Sequence, residues 1–528
     1  MVKVLISDNL SPAAADIFRD RGIEVDVDTK LSVEELRAKI AGYEGLAVRS
    51  ATKATAELIA AADRLKVIGR AGIGVDNIDI DAATQHGVVV MNTPFGNAVT
   101  TAEHAIAMMM AVARQIPAAD QSTQAGKWEK SAFMGAELTG KRLGLIGCGN
   151  IGSIVADRAQ GLKMKVMAFD PFLTEGRAQE LGVAKVELDE LLAAADFITL
   201  HTPLTDSTRD IIDANALNKT KKGVRIINCA RGGLIVEEAL RAALDSGHVA
   251  GAAIDVFAVE PAKDNVLFGA PNLVATPHLG AATMEAQEKV ALQVAEQMAD
   301  YLLTGAVTNA INMPSVSAEE APVLKPYMRL GELLGGFLGQ VTRSGIKSVT
   351  LEFSGLAASL NTGPVTAATL AGLLRPSADT VNMVNAGQLA HDRGITVSVT
   401  RTDRPTDYNT VLTVSIDLGD RSRTVSGTLI GGDKPRLVEV QGISVEAEFG
   451  GHMLYIRNWD KPGFIGSLGS LLGEQDVNIA TFHLGRSAPG GEAIALVEVD
   501  GPVPDPLMGQ IRALPQVVRA DGLHFTAA

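Results

Sequence analysis

An apolar run, Leu143 to Ile146, breaks on three glycines spaced Gly147-x-Gly149-x-x-Gly152, and no other stretch constrains the fold as tightly. Each glycine has its own job in a strand–turn–helix unit. Gly147 permits the tight turn, Gly149 lets the backbone approach a ligand, and Gly152 lets the next helix pack on the strand. A helix-like segment, Ser153 to Leu162, follows, and a second apolar run, Lys165 to Phe169, ends on Asp170. The first turn of such a helix offers unpaired N–H groups and a positive dipole end, which together cradle a pyrophosphate. Asp170 stands where a carboxylate accepts hydrogen bonds from an adenosine ribose and repels a 2′-phosphate. The pattern therefore predicts NAD rather than NADP. Spaced glycines alone also occur in turns of other α/β proteins; strand, helix and acid in this order point to a dinucleotide.

At 528 residues the chain has room for three or four domains. No uninterrupted apolar run reaches the length of a membrane span. Met1 to Asp8 reads as a strand, not as a basic, apolar, small-residue signal. Cys148 and Cys229 are the only cysteines, each inside a motif at a strand end, so we expect no disulfide framework and a cytoplasmic location. The formal charge of −14 disfavours nucleic acid and anionic membranes as partners. An anionic substrate must then be held by a few local Arg or Lys residues.

Strand-like runs at Val4–Ser7, Glu24–Val27, Gly45–Arg49, Val67–Arg70 and Val88–Asn92 alternate with helix-like runs at Pro12–Arg21, Val33–Ala41, Thr55–Ala61 and Ile80–His86. That alternation predicts a parallel α/β domain. Thr100–Arg114 reads as a long helix whose Met108, Met109 and Met110 pack a core rather than bind a ligand, and no metal is expected. After the glycine motif come strand candidates Phe197–His201, Val224–Asn228, Gly251–Asp255 and Leu273–Ala275, then a helix at Ala282–Leu303. Asn312 to Pro322 reads as a linker. From about Val323 to Gly451 the texture is β-rich, with runs at Ser348–Phe353, Ile395–Thr400 and Val411–Asp417 and no catalytic signature. From His452 the pattern is βαββαβ: strands at Met453–Arg457, Asn478–Gly485, Ala493–Val499 and Val517–Phe525, helices at Phe464–Glu474 and Pro506–Ala513.

Three candidate strand ends carry polar residues where doubly wound sheets line their ligand crevice. Arg231 follows Asn228-Cys229-Ala230; Glu260 lies shortly after Asp255; His278 follows Thr276-Pro277. Oxidising an alcohol by hydride transfer needs a base for the hydroxyl proton, which suits His278. A carboxylate such as Glu260 orients the ring and favours its protonated form. A guanidinium such as Arg231 grips a carboxylate bidentately and polarises the neighbouring carbonyl.

The order Gly-motif, Asp170, Arg231, Glu260, His278 resembles the D-isomer-specific 2-hydroxyacid dehydrogenases over residues 1 to about 310. The resemblance implies that Arg231 binds substrate and that Glu260 and His278 form a dyad. It implies cofactor contacts from Gly147, Gly149, Asn150, Ile151, Gly152, Asp170, Thr202, Pro203, Cys229, Ala230, Asp255, Gly280 and Ala281. The stretches 48–53, 69–77 and 92–97 resemble the long branch of that family, whose substrate is 3-phosphoglycerate. There Arg49, Ser50, Lys53, Gly72, Ile73 and Asn97 would face the substrate, with Arg49, and less directly Lys53, on its phosphate. The implied fold class is α/β: a Rossmann-type cofactor domain (99–281) inserted in a flavodoxin-like substrate domain (1–98 and 282–314). An α+β intervening domain (315–451) and an ACT-type regulatory domain (452–528) would follow. Asn458, Asp460 and Asn478 would bind L-serine as effector across a symmetric interface, in a homotetramer. Two other members of the family would share these motifs: a glyoxylate or hydroxypyruvate reductase, and a NAD-sensing co-repressor acting as a binding module.

Overall fold

The computed structural model describes residues 2–317, 319–378, 380–403 and 407–525. The end of the C-terminal unit expected at 452–528 therefore lies outside the described residues. Two parallel sheets come first. The five-stranded sheet has the order Glu24–Val27, Lys3–Ile6, Gly45–Val48, Val67–Arg70, Val89–Met91, the flavodoxin-like arrangement. The seven-stranded sheet runs Leu273–Ala275, Val249–Ile254, Val224–Asn228, Phe197–Leu200, Arg142–Ile146, Lys165–Phe169, Ala184–Lys185. Its order reverses between Arg142–Ile146 and Phe197–Leu200, and the glycine motif leaves the sheet at that switch point.

The helix Met284–Thr304 carries the chain back to the first sheet, against Pro12–Asp20 and Val67–Arg70. Gly69 is required there, because any side chain would collide with Met298 and Val294. The helix Ala98–Arg114 starts just beyond the first sheet but packs on the second, against Val249–Ile254 and Val224–Asn228. It thereby joins the two walls of the cleft between them. The glycine-motif helix runs Asn150–Gly161, three residues ahead of the expected Ser153, because Gly149 itself serves as its N-cap.

The middle region is α+β, with helices that its β-rich texture did not reveal. A 21-residue helix, Ala321–Val341, begins inside the segment read as a linker, and a second, Thr362–Leu374, lies against it. Both cover a six-stranded sheet that is antiparallel except for its edge strand, Thr396–Thr402. Pro326 and the repeated glycines disguise the long helix, since both residue types depress helix propensity. Gly331, Gly335 and Gly339 recur at one-turn spacing and face the second helix. A side chain at Gly335 would collide with the Thr369 carbonyl.

The last region folds as βαββαβ, with the antiparallel order Ile479–Arg486, Glu492–Val499, His452–Trp459, Val517–His524. Alternation along a strand sends neighbouring residues to opposite faces. Leu454 and Ile456 join the core beneath the region's own helices, whereas Met453 and Tyr455 join the core of the middle region. Phe337 and Tyr455 meet edge to face at 5.2 Å across that junction. Among the described residues, no helix is long and apolar enough to cross a membrane.

Candidate active site

The cleft between the two parallel sheets has a volume of about 600 Å³. One wall is the glycine motif. Gly147 adopts φ 93°, and a side chain there would strike the His201 carbonyl; at Gly152 it would strike the Gly147 carbonyl. A side chain at Gly149 would meet nothing within 4 Å, so the backbone there borders the open space that a pyrophosphate would fill. Asn150, Ile151, Thr202, Pro203, Cys229, Ala230, Gly280 and Ala281 all line the cleft. Asp170 sits under the motif, where its two carboxylate oxygens accept the Cys148 and Phe172 amides at 2.8 and 2.9 Å. These residues fit a dinucleotide.

The His278 ring closes the cleft from the far strand ends. Its Nδ1 lies 2.8 Å from Glu260 Oε2, and the Phe257 amide holds the other Glu260 oxygen at 3.0 Å. His278 is half exposed and lines the cleft. Arg231 follows the strand Val224–Asn228, two strands from the one that precedes His278. Asn228 shapes its turn by accepting the Ala230 amide at 3.0 Å and donating to the Arg231 carbonyl at 2.9 Å. The Arg231 guanidinium packs on Gly74 and meets Asp76 Oδ2 at 3.1 Å, reaching from the second sheet to a loop of the first.

That first-sheet wall is rigid. Buried Asp8 accepts the Arg49 and Thr52 amides at 2.6 and 3.1 Å, and Asn77 donates to both of their carbonyls at 2.6 Å. Arg49, Ser50, Gly72, Ile73 and Asn97 line the cleft as expected. Among the described residues, buried Asn97 Oδ1 has no hydrogen-bond partner. Lys53 is exposed and is not among the lining residues, so the structure does not bring it to the site.

Several further residues line the cleft that the sequence did not single out, among them Arg70, Asp76, Thr101 and His201. Arg70 ends its strand and faces the cleft; burial first, then neighbouring Arg231, brings its pKa down to about 10. The strand-end rule that selected Arg231 selects Arg70 as well. Asp76 gave no signal beyond its glycine-rich loop. Among the described residues, buried His201 Nδ1 has no hydrogen-bond partner, while its Nε2 meets Thr199 Oγ1 at 2.9 Å. Burial pushes the His201 ring down to about 4.

Asp255 does not line the cleft. It is fully buried behind the His278 loop, with its carboxylate accepting Thr276 Oγ1, Leu279 N and Gly280 N at 2.6, 2.7 and 2.9 Å. Burial opposes its ionisation, but these donors and His104 outweigh burial and hold the carboxyl below the usual range.

In the C-terminal sheet, Asn458 pairs with Ala493 near one end of the strand Glu492–Val499. Asn478 sits beyond its other end, bonded to Asp500 at 3.0 Å. Six residues of strand separate the two positions, roughly 20 Å. Within one chain the three expected effector residues therefore do not meet. Asn458 is buried, and Asp460 accepts Arg486 Nη1 at 2.8 Å and the Gly490 amide at 3.0 Å, which lower its pKa.

Residues 106–280 match the model for the NAD-binding domain of D-isomer specific 2-hydroxyacid dehydrogenases. Residues 323–441 match that for the D-3-phosphoglycerate dehydrogenase intervening domain. The chain is 43% identical over 521 residues to a D-3-phosphoglycerate dehydrogenase of Bacillus subtilis, covering 98% of each chain. It is 42% identical over 526 residues to one of Archaeoglobus fulgidus, covering 99% of this chain and 98% of that one. Among solved structures, a glyoxylate reductase from Paecilomyes thermophila superposes with TM-score 0.55 and 30% identity, covering 59% of this chain and 98% of that one. A D-lactate dehydrogenase from Aquifex aeolicus, complexed with NAD and lactic acid, superposes with TM-score 0.52 and 26% identity, covering 59% and 100%.

Proposed function

The chain belongs to the D-isomer-specific 2-hydroxyacid dehydrogenases, in the D-3-phosphoglycerate dehydrogenase family, and on that premise we propose that it oxidises 3-phospho-D-glycerate to 3-phosphohydroxypyruvate, the first step of serine biosynthesis. It is an NAD-dependent oxidoreductase. The observation that carries the substrate reading is the 2.8 Å His278–Glu260 pair in a cleft that Arg231 lines from the same sheet and Arg49 and Arg70 line from the other.

With its Nδ1 proton donated to Glu260, neutral His278 presents Nε2 as a base. That nitrogen takes the proton of the substrate 2-hydroxyl while the hydrogen on the same carbon leaves as hydride, and the oxygen becomes a carbonyl. Bound NAD supplies the hydride acceptor. Glu260 then stabilises the imidazolium. Arg231 grips the carboxylate through its planar fork, and Arg49 and Arg70 offer charge to the phosphate against the chain's overall −14. This basic rim favours a phosphorylated substrate over glyoxylate or hydroxypyruvate. Relatives matching the whole chain, including its last two regions, favour biosynthetic control over a co-repressor role.

We assign substrate binding to 1–98 and 282–314, NAD binding to 99–281, an intervening regulatory unit to 315–451 and an ACT-type unit to 452–528. L-serine would bind Asn458 and Asp460 of one chain with Asn478 of a second, since the two ends of one sheet are too far apart to share a ligand. The helix Ile116–Gln124 buries no residue and Trp128 is 87% exposed, as expected of a surface that self-association covers in a homotetramer. The buried free cysteines suit a cytoplasmic setting. A steady-state panel tests the assignment: NAD reduction with 3-phosphoglycerate, glycerate, glycolate and lactate, each with and without L-serine. Preference for 3-phosphoglycerate and inhibition by serine that Asp460→Ala abolishes are expected. Preference for an unphosphorylated acid would overturn the substrate, and unaltered inhibition of Asp460→Ala would overturn the effector site.

A further inference from the structure

We propose that His104, together with Thr101 on the same helix, is a positioning residue that sets the His278 loop through Asp255; the inference rests on reading His278 as the base. His278 sits at φ 57°, in the left-handed region that non-glycine residues rarely adopt. Something must hold it there. The holder is Asp255. Its carbonyl accepts the His278 amide at 2.9 Å, and its carboxylate accepts the next two amides, Leu279 and Gly280. The loop that aims the ring is thus strung on one buried side chain.

Asp255 and the loop are in turn gripped by the helix Ala98–Arg114 at two points. His104 Nε2 lies 3.3 Å from Asp255 Oδ1, and Thr101 Oγ1 donates to the Gly280 carbonyl at 2.9 Å. Gly280 makes the fit possible: a side chain there would press on Thr101 and Asp255 at 3.3 and 3.4 Å. The helix begins at Ala98, directly after Asn97, which lines the cleft from the first-sheet side. The His278 loop therefore takes its position from an element continuous with the opposite wall, so base and substrate loop share one rigid reference.

His104, Cys229 and Asp255 each bring a donor atom within 4.8 Å of the others, a spacing that also suits a metal. Hydrogen bonding explains the cluster better. Asp255 already takes Thr276 Oγ1 and two amides, and burial pushes the Cys229 thiol up, away from the thiolate a metal needs.

The test compares full-length His104→Leu, His104→Gln and Thr101→Val with wild type. His104→Leu should lower kcat by roughly tenfold to a hundredfold, with KM for 3-phosphoglycerate and NADH affinity by fluorescence within about twofold of wild type. His104→Gln, which keeps a donor at similar reach, should recover most of the loss. Thr101→Val should fall between them. The rate of carbethoxylation mapped to His278 by mass spectrometry should shift in His104→Leu and return in His104→Gln. That rate needs no substrate, so it separates failure of this inference from failure of the substrate reading, which would show as no wild-type turnover. Wild-type kcat and His278 reactivity in His104→Leu, or equal losses in Leu and Gln, would overturn the proposal.

Discussion

Arg231 reaches across the cleft to Asp76, Nε to Oδ2 at 3.1 Å, so an internal carboxylate engages the guanidinium assigned to the substrate carboxylate. Asp76 is 71% exposed and lies among the cleft residues, so it also repels an incoming anion. Replacing it with Asn keeps the size and removes that charge. Asp76→Asn should lower KM for 3-phosphoglycerate by about twofold to fivefold, the effect of one exposed charge. Arg231→Lys should lower kcat/KM far more, because a point charge cannot replace a planar fork. Steady-state kinetics at low and moderate salt check both; a raised KM in Asp76→Asn would show that the pair serves only to aim Arg231.

Asp170 should decide between NAD and NADP. Its carboxylate is fixed by the Cys148 and Phe172 amides beside the glycine motif, where a 2′-phosphate would meet a negative charge. Asp170→Ala should lower kcat/KM for NAD by about tenfold to a hundredfold, the loss of charged hydrogen bonds. The activity with NADP should hold or rise, so the ratio of the two narrows. An unchanged ratio would remove Asp170 from the ribose.

His201 makes stability depend on pH in a defined window. Its folded pKa is about 4, against about 6.5 for a free imidazole. Between those values the unfolded chain binds a proton that the folded chain does not, so stability rises with pH. The contribution is complete above about pH 6.5 and is lost as pH falls toward 4. Urea melts of wild type and His201→Gln from pH 4.5 to 7.5 should show the wild type losing more stability on acidification. Parallel profiles would contradict a buried neutral ring.

The long helix Ala321–Val341 depends on glycine at its contact with Thr362–Leu374. Gly335→Ala inserts a methyl into the Thr369 carbonyl and should destabilise the middle region by about 1–3 kcal/mol, the cost of overpacking. Gly345, with open space around it, serves as the control position and should accept Ala without such loss. Thermal melts of both variants decide the matter.

Much of this molecule is legible from periodicity and punctuation. The strands that lead into Arg231 and Asp170, and the six elements from His452 on, announce themselves by apolar runs broken at glycine or charge. What escapes the sequence follows other rules. Gly331, Gly335 and Gly339 look like helix breakers because propensity is local, while their value lies in contact with a partner helix distant in sequence. His104 and Thr101 lie inside a helix, away from any strand end, and their contacts with Asp255 and the Gly280 carbonyl come from loops distant in sequence. Arg70 was hidden in plain view, at a strand end inside a loop valued for its glycines. Asn458 and Asn478 share a residue type and a strand-end position, but pairing through Glu492–Val499 puts them at opposite ends of one sheet.

His278, oriented by Glu260, is assigned as the base. The most direct measurement is kcat for NAD reduction by 3-phosphoglycerate in His278→Asn, paired with NADH fluorescence titration of the same protein. A loss of roughly 10²–10⁴-fold in kcat with NADH affinity unchanged is expected. Near-normal turnover in His278→Asn would contradict it.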